Sequence, residues 1–162
     1  MADDGLPAGG MTQSRRAQPP AARSAGQPSA SILPVVPGYV PAELTIVIPT
    51  LNERDNVPVL VERLATALDG VAWEAVFVDD DSKDGTIDAV RTLARRTPRI
   101  RGLRRIHRRG LAGASLEGML ASAAPFVALI DADLQHDETR LGEMLEILRR
   151  GEADVVVGSR YG

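Results

Sequence analysis

Two patterns of apolar and polar positions alternate along residues 44–162. Short apolar runs rich in Val and Ile are typical of strands in a buried parallel sheet. Longer segments place apolar residues three and four positions apart, which is typical of amphipathic helices. The predicted strands span residues 44–48, 75–78, 100–106, 126–130 and 154–157. The predicted helices span residues 55–68, 84–96, 111–123 and 137–150.

This order of strands and helices predicts an α/β fold with a mainly parallel sheet covered by helices on both faces. Residues 1–43 are rich in Ala, Pro, Gly, Ser and Gln. Such a segment buries too little apolar surface to offset its ordering entropy, so we expect a disordered leader. The domain then covers residues 44–162. Because the chain stops just after the fifth predicted strand, we expect this domain to be incomplete at its C-terminus.

Composition narrows the classes of function. The chain has 162 residues, a net charge of −3 and no cysteine, so disulfides and thiolate metal sites are excluded and no general attraction to nucleic acid is expected. Apolar runs fall short of the roughly 18–20 residues needed to span a bilayer. We expect a cytoplasmic protein. One alternative is that it binds peripherally to the cytoplasmic face of the membrane.

The strongest chemical signal is Asp131-Ala132-Asp133, which directly follows the apolar run at residues 126–130. In open α/β sheets, ligands bind outside the carboxyl ends of the strands. Two carboxylates at this spacing can reach one hard cation, Mg²⁺ or Mn²⁺, and Gln135 offers a third oxygen donor. The segment predicts a metal–diphosphate site; the alternative is that both acids belong to a helix start. His136 is interpreted as a neighbour of the site.

Polar residues also follow three other predicted strands. Residues 49–54 follow the first, either as the lining of a nucleotide pocket or as a turn into a helix. Asp80 is the middle one of three adjacent carboxylates after the second, and we expect it to accept hydrogen bonds from a ribose hydroxyl or a base. Arg160 follows the fifth, where it either binds a diphosphate through its planar fork or is an ordinary surface residue.

A basic stretch extends from Arg95 to Arg109 and contains eight Arg and no acid. One interpretation is a solvated basic face. The other is a contact with acidic lipid head groups or a phosphate-bearing acceptor. The sequence does not separate the two.

Taken in order, five segments resemble the inverting family-two glycosyltransferases, in particular the dolichyl- or polyprenyl-phosphate mannosyltransferase branch. These segments are residues 49–54, 78–86, 109–113, 131–136 and 158–161. The resemblance implies a glycosyltransferase-A fold, a nucleotide-diphosphate sugar donor such as GDP-mannose, and a divalent metal, Mg²⁺ or Mn²⁺. It further implies a polyprenyl-phosphate acceptor at the membrane surface, with no nucleic acid as a partner.

The resemblance also implies roles for particular residues. The nucleoside site would comprise Pro49, Leu51, Glu53, Val78 and Asp80. The diphosphate and the metal would be lined by Asp131, Ala132 and Asp133, with Arg160 at the phosphates. The metal site would comprise Asp131, Asp133 and Gln135, with Asp133 and Gln135 as direct ligands. The catalytic residues would be Asp131, Asp133 and Arg160. Two positions depart from the branch: Leu51 replaces the usual Tyr, and Asp81 replaces the usual Gly or Asn.

Alternative functions keep the same fold. One is a transferase that uses a UDP-sugar. Another is a nucleotide-sugar-binding fragment without turnover, in which the acceptor side comes from a missing C-terminal segment or a separate membrane-anchoring partner. A dinucleotide-binding oxidoreductase is disfavoured because no glycine-rich fingerprint follows Ile48. A phosphate acceptor is already ionised near neutral pH and needs no strong general base, which agrees with the lack of an obvious catalytic His.

Overall fold

The computed structural model describes residues 40–159. The leader up to residue 39, and Arg160, therefore lie outside the described residues. Four strands alternate with four helices: β1 Leu44–Thr50, α1 Asn56–Ala67, β2 Trp73–Asp79, α2 Thr86–Ala94, β3 Ile100–Arg104, α3 Leu111–Leu120, β4 Phe126–Leu129 and α4 Arg140–Arg149. The predicted α/β alternation is confirmed for these eight elements.

The four strands form one parallel sheet in the order β3-β2-β1-β4. The central strand β1 pairs with β2 over its full length, from Leu44 opposite Trp73 to Thr50 opposite Asp79. On its other side β1 pairs with β4 as far as Val47, which lies opposite Leu129. Because all strands are parallel, the loops that follow β1, β2 and β4 leave the sheet at the same edge.

Successive side chains of the central strands point to opposite faces of the sheet, and both faces are covered. Ile46 and Phe77 are fully buried in the larger core, under α1, α2 and α4. Val47 and Val76 are fully buried in a smaller core under α3. Each fully buried Val, Ile or Phe contributes about 1.5–3 kcal/mol. These two cores fix the strand register, since a slip of one residue would exchange the two faces.

Helix α3 approaches the sheet closely because it presents a glycine to it. A Cβ built at Gly118 would collide with Val47 Cγ1 and would lie 3.0 Å from Val78 Cγ2. The sequence of α3, LAGASLEGML, is rich in small residues, and close helix–sheet packing explains the small residue at position 118.

The structure corrects the predicted end of β1. The strand was expected to stop at Ile48 because Pro49 follows it, yet it continues to Thr50. Pairing with β4 has ended by Val47, so Pro49 lies in a part of β1 with a neighbour on one side only. A missing backbone N–H is tolerated in such a position.

The fifth predicted strand, residues 154–157, is wrong for the part of the chain that the structure describes. Val155 and Val157 are 75% and 81% exposed, and the segment pairs with none of the four described strands. A β-rich sequence forms a strand only when a neighbouring strand takes up its backbone hydrogen bonds. Across residues 40–159, no helix has the length and apolar character to cross a bilayer.

Candidate functional site

The loops that follow β1 and β2 are held to each other by side chains. The backbone N–H groups of residues 52–54 donate to Ser82 Oγ at 2.8 Å, Thr86 Oγ1 at 2.9 Å and Asp84 Oδ2 at 3.0 Å. These residues lie after β2 and at the start of α2, thirty or more positions along the chain. The two loops therefore form one pre-organised surface at the carboxyl edge of the sheet.

Local backbone geometry explains Asp81, which stands where the branch that the sequence resembles usually has Gly or Asn. Its φ of 59° lies in the left-handed region, which Gly and Asn adopt most readily and Asp tolerates. Lys83 Nζ donates to Asp81 Oδ2 at 2.6 Å and Arg104 Nε to Oδ1 at 2.9 Å. These hydrogen bonds lower the pKa of Asp81 to about 2. The additional negative charge is therefore neutralised by two neighbouring cations.

Asp80 lies in a different environment from Asp81, although the two are adjacent in sequence. Its side chain is 8% exposed, and both of its oxygens accept hydrogen bonds from the protein. Arg105 Nη1 donates to Oδ1 at 2.6 Å, and the backbone N–H of Gly110 donates to Oδ2 at 2.7 Å. Each carboxylate oxygen retains a second lone pair, so Asp80 can still accept a hydrogen bond from a ligand.

Arg105 is buried, and the sequence analysis did not identify it. It is one of eight Arg in the basic stretch, where nothing in the sequence separates it from its neighbours. Four Arg of this stretch form ion pairs with acids that lie outside it: Arg101 with Glu74, Arg104 with Asp81, Arg105 with Asp80, and Arg108 with Glu117. The stretch is therefore not a uniformly solvated face, and lipid contact by its remaining Arg residues stays a prediction.

The acidic loop after β4 presents its two carboxylates at the surface. Asp133 is exposed, and the side chain of Asp131 is 48% exposed. Asp133 Oδ1 accepts a hydrogen bond from Gln135 N at 3.0 Å, which tightens a turn through Leu134, whose φ is 61°. His136 Nε2 lies 3.3 Å from Asp131 Oδ2, so its ring contacts the acidic loop.

The donor set of this loop fits a hard divalent cation. Asp131, Asp133 and Gln135 offer only oxygen ligands, and neither carboxylate is buried in an ion pair with Arg or Lys. Within residues 40–159, no group of three or more His, Cys, Asp or Glu side chains converges. A cation here would take few ligands from the protein and the rest from water and phosphate oxygens, which is the preference of Mg²⁺.

The other residues expected at the site differ in exposure. Pro49 and Glu53 are half-buried, and Leu51 is 44% exposed. Val78 is fully buried in the core under α3, and Ala132 is 2% exposed. The side chain of Val78 is therefore unavailable at the surface, so that any contact with a ligand would involve its backbone.

The loops after β1 and β4 are neighbours through the sheet. The backbone N–H of Ile130 donates to Val47 O at 3.2 Å, which continues the β1–β4 ladder one residue past β4. Asp131 is the next residue, so the acidic loop begins where this ladder ends. The loop after β2 joins on the other side, where Asp80 N donates to Thr50 O at 3.0 Å. The three polar segments thus flank one another along a single edge.

Solved structures share this architecture. A mannosyltransferase, PcManGT from Pyrobaculum calidifontis, solved in complex with GDP-Man and Mn²⁺, is 27% identical, with a TM-score of 0.57 over 67% of this chain and 33% of that chain. S. aureus TarS is 21% identical and shows the shared fold, with a TM-score of 0.59 over 69% of this chain and 34% of that chain. The fold is of the glycosyltransferase-A type.

Residues 45–162 match the family described as Glycosyl transferase family 2, and the chain belongs to this family. A dolichol-phosphate mannosyltransferase from Pyrococcus furiosus is 35% identical over 119 residues, which are 74% of this chain and 33% of the relative. A dolichol-phosphate mannosyltransferase from Saccharomyces cerevisiae is 30% identical over 122 residues, 74% of this chain and 45% of the relative. The chain therefore spans a third to nearly half of these relatives.

Proposed function

We propose that residues 44–162 bind the sugar donor in a glycosyltransferase that moves mannose from GDP-mannose to a polyprenyl or dolichyl phosphate. The observation that carries the proposal is the Asp131-Ala132-Asp133 loop at the carboxyl edge of the sheet, which presents its two carboxylates at the surface beside the paired loops after β1 and β2. Two relatives named dolichol-phosphate mannosyltransferase and a neighbour bound to GDP-Man and Mn²⁺ support the choice of donor and acceptor.

The donor would lie across the three loops. The loops after β1 and β2 bind the nucleoside. It is contacted by Pro49, Leu51, Glu53 and the backbone of Val78, and Asp80 accepts a hydrogen bond from it. These loops are held in place before a ligand arrives, which lowers the ordering cost of binding. The diphosphate lies toward Asp131, Ala132 and Asp133, and Arg160 contacts the phosphates.

The reaction is a displacement at the anomeric carbon of the sugar. An ionised phosphate oxygen of the acceptor attacks this carbon as its bond to the diphosphate oxygen breaks, so the configuration inverts and GDP leaves. Asp133 and Gln135, with Asp131 beside them, would hold Mg²⁺ or Mn²⁺. That ion, when bound, supplies positive charge to the leaving diphosphate. Arg160 adds a second positive charge, and no residue of the chain is required as a strong base.

The acceptor places the reaction at a membrane surface. A polyprenyl phosphate is anchored in the bilayer, so we propose that the protein acts from the cytoplasm at the cytoplasmic face of the membrane. Attachment there would come from a further segment of the protein or from a separate membrane partner. Since the chain spans at most 45% of the two relatives, turnover is a separate question from donor binding.

Calorimetry tests donor binding. We expect GDP to bind the 162-residue chain in the presence of Mn²⁺ at least ~10-fold more tightly than in its absence, because a cation held by Asp133 and Gln135 would supply positive charge to the diphosphate. Asp133→Ala should remove the Mn²⁺-dependent part. Asp137→Ala is the matched control, since Asp137 is an exposed carboxylate of the same loop that accepts a hydrogen bond from Thr139 N. Equal Mn²⁺ dependence in wild type and Asp133→Ala would contradict the site.

The choice of nucleotide and the presence of turnover need separate measurements. Tighter binding of UDP than of GDP would replace the donor by a UDP-sugar while leaving the site in place. Transfer of radiolabelled mannose from GDP-mannose to a short polyprenyl phosphate would show turnover by this chain. Tight GDP binding without any transfer would identify residues 44–162 as a donor-binding part whose acceptor side is supplied elsewhere.

A further inference from the structure

The buried ion pair between Asp80 and Arg105 differs from the other contacts of the basic stretch. Both side chains are more than nine-tenths buried, at 8% and 6% exposure, whereas the neighbouring pair of Asp81 and Arg104 is exposed at 15% and 38%. Removing one partner from a buried pair leaves an uncompensated charge, so such pairs are costly unless fully hydrogen-bonded. Both oxygens of Asp80, and Nε and Nη1 of Arg105, form hydrogen bonds within the protein.

The guanidinium of Arg105 is held by groups from two elements. Nη1 donates to Asp80 Oδ1 at 2.6 Å and to Gly110 O at 3.1 Å, and Nε donates to Glu117 Oε1 at 3.2 Å. Gly110 in turn donates its backbone N–H to the second oxygen of Asp80. The start of α3 and the planar guanidinium of Arg105 therefore fix the orientation of the Asp80 carboxylate. A Lys at position 105 could not reproduce this set of contacts.

Gly113 in α3 leaves room for the guanidinium of Arg105. A Cβ built at Gly113 would lie 2.5 Å from Arg105 Nη2 and 3.4 Å from its Cζ. Glycine in a helix costs roughly 1 kcal/mol relative to alanine. At Gly118 on the same helix the obstacle is the core residue Val47, whereas at Gly113 it is a charged group with no part in the core.

We propose that Arg105 is a positioning residue of the donor site: it holds the carboxylate of Asp80 in the orientation in which it accepts a hydrogen bond from the nucleoside, without contacting the ligand itself. This inference rests on the proposed function, since it requires that Asp80 faces the nucleoside. Its geometric basis is independent of that proposal. Without Arg105, Asp80 Oδ1 would lose its buried hydrogen-bond donor, and only the backbone N–H of Gly110 would still hold the carboxylate.

The test is a double-mutant cycle on GDP affinity in the presence of Mn²⁺. Arg105→Met should weaken GDP at least ~10-fold, the typical worth of a charged hydrogen bond. It should leave the Mn²⁺-dependent binding of inorganic pyrophosphate within twofold of wild type. In an Asp80→Asn background, the same Arg105→Met substitution should change GDP affinity by less than about twofold, because its effect passes through Asp80.

Controls separate positioning from folding. Arg104→Met removes the neighbouring exposed ion pair and should leave GDP affinity unchanged. Gly113→Ala should displace the guanidinium of Arg105 while keeping every charge, so it should weaken GDP binding and leave pyrophosphate binding unchanged. This variant tests the inference even if Arg105→Met fails to fold. Arg105→Lys should recover only part of the affinity.

Three results would overturn the inference. Additive losses in the double mutant would mean that Arg105 contacts the ligand directly. Parallel losses of GDP and pyrophosphate would mean a structural role only. Unchanged GDP affinity in both Arg105→Met and Gly113→Ala would mean no role at the site. Failure of the wild-type chain to bind GDP would instead count against the proposed function.

Discussion

At the scale of single residues, the loop after β2 shows how neighbouring carboxylates acquire different properties. Asp81 is paired at the surface with Lys83 and Arg104, whereas Asp80 is paired in the interior with Arg105. The three adjacent acids in the sequence predicted a functional loop, because adjacent carboxylates repel one another and a purely structural turn seldom needs them. Their partners could not be predicted, because Arg104 and Arg105 lie more than twenty positions further along the chain and reach the acids only through the pairing of β2 with β3.

The pKa of Asp81 gives a direct test at this scale. Hydrogen bonds from Lys83 and Arg104 lower it from 3.8 to about 2. Because the pKa is lower in the folded state, this carboxylate stabilises the fold above pH 3.8, and the contribution is lost as the pH falls through about 2. A carboxyl ¹³C NMR titration should give a midpoint near 2, and Lys83→Met or Arg104→Met should move it upward. A wild-type midpoint of 3.8 would show that these contacts do not form in solution.

At the scale of elements, the pattern of apolar residues predicted the four strands and four helices to within a few residues at most of their ends. This succeeded because each amphipathic helix and buried strand carries its own periodicity. Residues 154–157 carry an equally good strand pattern, but a strand also needs a neighbour, which is a tertiary property. Likewise, the end of β1 depends on where β4 stops pairing with it, which its own sequence does not record.

The packing of α3 can be tested by comparing two glycines that both lie inside helices. Gly118→Ala should destabilise the fold by about 1–2 kcal/mol, because overpacking against Val47 outweighs the gain in helix propensity. Gly142→Ala in α4 should instead stabilise by up to about 1 kcal/mol, since its Cβ would lie 3.9 Å from Ala67 O, an ordinary contact. Urea unfolding followed by circular dichroism measures both. Equal effects of the two substitutions would show that α3 does not pack closely on the sheet.

At the scale of the whole molecule, a parallel sheet collects the ends of its strands at one edge, so residues far apart in sequence become one site. This rule placed the polar segment after β4 at a ligand-binding edge before the fold was known, and the family resemblance added the segments after β1 and β2. The same rule does not reach Arg105, whose role depends on how α3 packs over β1 and β2. The described residues thus combine an edge of polar loops that could be predicted with a supporting network that could not.

The central claim is that these three loops hold one metal–nucleotide complex. Mn²⁺ is paramagnetic and broadens the amide signals of nearby residues, so ¹⁵N–¹H NMR of the chain with GDP and substoichiometric Mn²⁺ locates the ion directly. The account predicts broadening of residues 131–135, with weaker effects at residues 49–53 and 78–81, and none of this pattern in Asp133→Ala. Broadening confined to other acidic surface groups, such as Glu152 and Asp154, or an unchanged pattern in Asp133→Ala, would contradict it.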